Sequence, residues 1–334
     1  MTTCYFFNCG RTYNIFIMMV EGVKMNYVGN IIKKYRCMLK MSRKTLSENI
    51  CSEKYVYLIE KGERTPSAYM VGMLGDRMGV DLFDYYQYLD CINPIAVREY
   101  IKRFNMYSRK SDFVALKKET DTAVNLPDFH RKPWIYEIEI NRLSYMIFIQ
   151  HKYYEAMRNL NDVISNIELK YSMDIRVAKI YILLSICCML TGSLPNAKKA
   201  VSSAYKIVCN KNKIDKYEQI IITVRISSIS MHYLSGEFDD VIREGSELFH
   251  YQHEINSYER ICYTYFYLSF ANYKKGSYDE AIEWFKKGIY SVLIDNRPMD
   301  VYYMSTQDVF DAMMNDRRIN RGVIREFREK YNIG

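Results

Sequence analysis

The stretch CSEKYVYLIEKGERTPS, residues 51–67, holds side chains whose types and spacing suit recognition rather than bond-making. Ser52 can accept from the free N–H groups that open a helix at Glu53, and Gly62 supplies the left-handed residue that closes it after Lys61, giving a helix of about nine residues. Val56 and Ile59 fall on one face of it, while Glu53, Lys54, Tyr57 and Lys61 point elsewhere. One face packs and the other is free to read a partner. The chain shows no Gly-rich phosphate loop, no nucleophile elbow and no paired catalytic carboxylates, so no enzyme is expected. Its five histidines include no HExxH, and His250 with His253 reads as a solvated helix pair. No metal and no other cofactor is expected.

At 334 residues the chain is long enough for two domains, or for one compact domain plus an extended array. Its net charge of +8 permits a polyanionic partner without requiring one. The distribution is more telling. From Lys33 to Arg64 there are nine Lys or Arg against four Glu, so more than half of the net charge sits in about a tenth of the chain. Nine scattered cysteines, odd in number and without a CxxC, point to a reducing cytoplasm. In residues 1–24 the apolar run Ile15 to Val20 is too short to span a bilayer and lacks a small-residue cleavage site. That leader is expected to be an upstream extension or a misassigned start, with no membrane association.

The elements that position the recognition face follow from the same kind of reading. Ile31, Ile32, Tyr35 and Leu39 make an amphipathic first helix, and Ser42 caps a second, RKTLSEN, whose Leu46 faces inward. Ile50 and Cys51 form the turn into the helix at Glu53. Ser67 caps a fourth helix that ends at Gly79, and Leu82 to Leu89 forms a fifth. Five short helices over residues 25–90, two of them joined by a tight turn, describe a helix-turn-helix module. The run SRKTLSENICSEKYVYLIEKGERTPS resembles the phage-repressor-like (Xre) helix-turn-helix signature, above all in IEKGERTPS and the following helix that closes with MGVDL. The resemblance covers residues 27–89. It implies that Ser42, Arg43 and Ser52 touch phosphates or groove edges, that Glu53, Lys54 and Tyr57 face bases in the major groove, and that Lys61 and Arg64 belong to the same DNA-binding surface. Arg43 stands where the family usually has glutamine and Leu58 where a basic residue is common, so a base preference does not transfer. The competing reading is a solvated basic face with Glu60 and Arg64 as a helix-end ion pair.

Past Pro94 the chain turns repetitive over residues 95–334. The clearest unit is YTYFYLSFANYKKGSYDEAIEWFKKGIYSVL, residues 263–293, in which Gly276 breaks between two helices, Tyr278 opens the second and Ala281 is small enough for close helix contact. Related units centre on Phe238, Leu194, Tyr153 and Phe113, so the turn positions lie 40, 41, 44 and 40 residues apart. These units resemble tetratricopeptide repeats lengthened by about six residues. The resemblance implies an all-α chain, with a right-handed α-solenoid after the five-helix module and a capping pair at about 299–314 and 321–331.

In such repeats the first helix of each pair lines the concave side, and its inward positions can be counted back from the turn. They include Asn141, Arg142 and Tyr145, then Ser227 and Ser230, then Tyr263, Phe266, Tyr267 and Lys274. Amides, hydroxyls, aromatics and cations together suit an extended peptide, with packing within the array as the alternative for each residue. The order of the two parts is similar to that of the RRNPP (PlcR/Rgg-like) peptide-responsive regulators over residues 25–334. That similarity implies a cytoplasmic, quorum-sensing type of homodimer that binds a palindromic double-stranded operator and responds to a short signalling peptide. Two other readings stay open: a peptide-independent repressor, and a repeat scaffold that does not bind DNA.

Overall fold

The computed structural model describes residues 27–209, 211, 217–294 and 307–331 of the chain, and the leader at residues 1–24 lies outside them. Among the described residues all regular structure is helical. The chain divides into two compact units, with the boundary between Ile101 and Lys102.

The amino-terminal unit contains α1 (Tyr27–Met38), α2 (Arg43–Ser47), α3 (Glu53–Glu60), α4 (Ala68–Met78) and a 3-10 helix over Phe83–Tyr88. Helix α5 (Pro94–Arg109) begins in this unit. Three starts are set by serine hydroxyls: Ser42 accepts from Thr45 N–H, Ser52 from Tyr55 N–H and Ser67 from Met70 N–H. Ile31, Ile32, Leu46, Val56, Ile59, Val71 and Leu74 make one buried cluster, so each helix contributes its apolar stripe. Two expectations shift. The fifth helix is a 3-10 turn rather than an α-helix, opened by the Asp81 carboxylate on Phe83 N–H at 2.9 Å. Leu39 lies outside the core, because α1 ends at Met38 and Lys40 turns the chain with φ 53°.

The second unit is built of helix pairs. After α6 (Phe113–Ala123) come α7 (Ile135–Phe148) with α8 (Tyr153–Ser165), and α9 (Ile175–Leu190) with α10 (Leu194–Val208). Then follow α11 (Glu218–Leu234) with α12 (Phe238–Glu254), α13 (Ile261–Lys274) with α14 (Tyr278–Ile294), and the closing α15 (Gln307–Met314) and α16 (Arg321–Tyr331). The part of the expected capping pair before residue 307 lies outside the described residues.

Helices α6, α8, α10, α12 and α14 start on Phe113, Tyr153, Leu194, Phe238 and Tyr278, the five turn positions. Two residues before each of these the backbone is left-handed, at Ser111, His151, Gly192, Gly236 and Gly276. Three residues after each sits a buried residue of the pair interface: Leu116, Ala156, Ala197, Val241 and Ala281. The turn geometry therefore repeats even where the glycine is missing, at Ser111 and His151. Helices α7, α9, α11 and α13 pack successively against one another, while α8, α10, α12 and α14 approach their own kind only marginally. The first helices thus form the inner layer of the array. Its far end is sealed by Phe310 and Phe327 on the Phe266, Phe270 and Phe285 cluster, and Lys330 Nζ donates to the carbonyls of Val292 and Leu293 at 2.9 and 2.8 Å. Those are orphan acceptors at the end of α14.

Candidate nucleic-acid interface and ligand surface

Helix α3 has one sealed and one open face. Val56 and Ile59 are fully buried, while Glu53, Lys54, Tyr57 and Lys61 are exposed. Ser42 and Ser52, at the starts of α2 and α3, are also exposed, and their hydroxyl oxygens cap the local N–H groups. The turn between α2 and α3 is held from behind by Arg77 of α4, whose Nη1 donates to the carbonyls of Thr45 and Glu48 at 3.1 and 2.5 Å. Arg64 lies exposed past the end of α3.

The competing reading pairs Glu60 with Arg64 at the helix end, and the structure gives it other partners. It points inward, and its two oxygens accept from Arg36 Nε at 2.6 Å and Arg43 Nε at 2.7 Å. Burial would push its carboxyl up, but the hydrogen bonds from the two guanidinium groups outweigh that and hold it below the usual carboxylate range. Arg43 is consequently tied to the interior through one nitrogen and lies over Tyr57, its guanidinium carbon 5.2 Å from the ring centre. Lys61 Nζ is 4.8 Å from the same ring centre. Tyr57 is flanked by two cations. Arg36, counted in the sequence only as one charge among nine, is the residue that makes a buried Glu60 tolerable.

In the repeat unit the nine expected ligand residues separate by burial. Asn141 is inside, donating from Nδ2 to Thr120 Oγ1 at 3.0 Å. Phe266 and Tyr267 belong to the large core cluster, and Ser230 is buried at the same level of the array. Burial pushes the Tyr267 phenol up. These four serve packing between helices, because the positions counted from the turn face the neighbouring pair rather than solvent. Arg142 is exposed and paired with Glu139 at 3.5 Å, and Tyr145 is half-buried with Lys117 Nζ 5.9 Å from its ring centre. Ser227 and Tyr263 are half-buried, and Lys274 is exposed. One cluster unremarked in the sequence joins His232, Glu237 and Asp240, whose ligand atoms lie within 4.8 Å of one another. Lys198 and Arg243 already neutralise its carboxylates.

Fold and open face together define an all-helical protein, a helix-turn-helix unit followed by stacked helix pairs. That is also the fold of Bacillus thuringiensis PlcR, solved in complex with the peptide PapR7 and DNA: the two align with a TM-score of 0.59 at 15% identity, over 87% of this chain and 100% of that one. A looser likeness is to ComR from S. thermophilus in complex with DNA and its signalling peptide ComS, with a TM-score of 0.47 at 17% identity over 86% and 99% of the two chains. No protein-family model matches the sequence, and no curated protein matches it. Among the described residues no helix is long and apolar enough to cross a membrane.

Proposed function

We propose that this protein is a DNA-binding transcriptional regulator, not an enzyme, that works as a cytoplasmic homodimer on a two-fold symmetric operator. The observation that carries the reading is α3 itself: a serine-capped helix sealed on one side by Val56 and Ile59, with Lys54, Tyr57 and Lys61 open on the other. The shared fold supports it, since PlcR was solved holding DNA and a peptide. In this reading Lys54, Tyr57 and Glu53 meet base edges, and Ser42, Ser52, Lys61 and Arg64 meet the backbone. A short peptide lies on the inner layer of the repeats, against Arg142, Tyr145, Ser227, Tyr263 and Lys274, and changes operator affinity by a coupling of ~1 to 3 kcal/mol.

The test is enrichment of duplexes from a random pool by the full chain, followed by titration of the selected site. Wild type should select a symmetric sequence, and replacing Lys54 and Tyr57 together by alanine should lower affinity by ~1 to 3 kcal/mol per lost base contact with the fold intact. Unchanged affinity in the double variant would remove α3 as the reading helix. A second reading, a regulator whose array only dimerises, is favoured by the burial of Asn141, Ser230, Phe266 and Tyr267. Calorimetry with peptides encoded beside the gene separates the two.

A further inference from the structure

Arg36 and Arg43 both pair with Glu60, and they are used differently. Arg36 commits Nε and Nη2 to the two carboxylate oxygens, at 2.6 and 3.1 Å, and Nη1 to the carbonyl of Met41 at 2.9 Å. Its side chain is 11% exposed, so it is an interior strut. Arg43 commits Nε alone, and among the described residues its two terminal nitrogens donate to no protein acceptor. A third of its side chain, 33%, is open. Glu60 fixes one edge of this guanidinium, whose carbon lies 5.2 Å from the centre of the Tyr57 ring.

We propose that Arg43 is a base-reading residue, whose terminal nitrogens, aimed by Glu60 and Tyr57, form a two-donor fork for O6 and N7 of a guanine in the major groove. The inference rests on the regulator reading above and names what one position of that interface recognises. Three physical points lead to it. A guanidinium held at one edge by a carboxylate, with an aromatic ring beside it, has lost part of the freedom that would otherwise be given up on binding, so the fork is partly pre-organised. Two acceptors side by side on one rigid group match such a fork, and guanine is the base that offers them; adenine puts a donor beside its N7 and repels it. A phosphate can accept from the same fork, but a lysine's point charge satisfies it as well, and exposed Lys44 supplies one on the same unit.

Enrichment from a randomised duplex pool with the full-length protein tests this, comparing wild type with Arg43→Gln and Arg43→Lys. Both variants leave the Arg36–Glu60 pair in place, and thermal melting verifies folding. Wild type is expected to fix guanine at one position of each half-site, with other bases there roughly 5- to 150-fold weaker. Arg43→Gln should move that one position to adenine and leave the others as they were, and Arg43→Lys should blur it. Uniformly weaker binding with every preferred base unchanged would make Arg43 a phosphate contact and overturn the proposal. Glu60→Gln keeps an acceptor but loses the charge. As a positioning residue Glu60 should then blur the guanine position alone, whereas an equal loss at all positions would leave it a merely structural role. If wild type enriches no sequence at all, the regulator reading itself falls, and this assignment with it.

Discussion

The amide of Asn141 is inside the array because Thr120 holds it there. Thr120 is fully buried, its hydroxyl donates to the Leu116 carbonyl at 2.7 Å, and the same oxygen accepts from Asn141. Asn141→Ala should therefore cost roughly 1 to 3 kcal/mol of folding stability, read in urea denaturation. The buried carboxylates make a second prediction. Burial would raise Glu137, yet Lys179 at 3.4 Å and Arg176 at 3.1 Å hold it below the usual range, as Arg36 and Arg43 do for Glu60. A carboxyl lower in the folded than in the unfolded state contributes stability above the unfolded value, near ~4.3, and loses it as pH falls through the folded value. Melting temperature should fall steeply on acidification below about pH 4.5. Glu137→Gln should flatten that slope while lowering stability at neutral pH, because Arg176 and Lys179 lose their buried counter-charge.

At the scale of the element, the inter-helix turns provide a clean comparison. Gly192, Gly236 and Gly276 have φ of 80°, 74° and 83°, and a Cβ at any of them would meet nothing within 4 Å. Space is not the constraint there; backbone conformation is. Gly276→Ala should destabilise the repeat unit by roughly 1 to 2 kcal/mol, and Ser111→Gly should move stability the other way, since Ser111 has φ 53° without the glycine's freedom. Differential scanning calorimetry checks both. Gly29 is a different case: a Cβ there would lie 1.9 Å from the Ile59 carbonyl oxygen, so α1 can cross the end of α3 only without a side chain. Gly29→Ala should unfold the amino-terminal unit or displace α3, with loss of operator binding in gel shift.

At the scale of the whole molecule, one small unit holds few base contacts, so useful specificity needs two half-sites about 34 Å apart or a multiple of that. The protein should scatter light as a dimer at micromolar concentration and leave a symmetric footprint. A monomer with an asymmetric footprint would count against the proposed function. The sequence by itself determined where the main helices start and stop: serine caps at 42, 52 and 67, the Gly79 stop, and five turn positions are local chemistry, each settled by a side chain and its own backbone within a few residues. The open face of α3 was legible for the same reason, as Val56 and Ile59 could only pack one way. Only the tertiary structure decided where Glu60 turns, because its partners Arg36 and Arg43 lie 24 and 17 residues away on other helices. It likewise decided which inner-helix residues of the repeats are core. Spacing from a turn gives an angle around one helix, but whether that angle meets solvent or a neighbouring helix depends on elements roughly twenty to forty residues away in the chain, and those buried Asn141, Ser230, Phe266 and Tyr267.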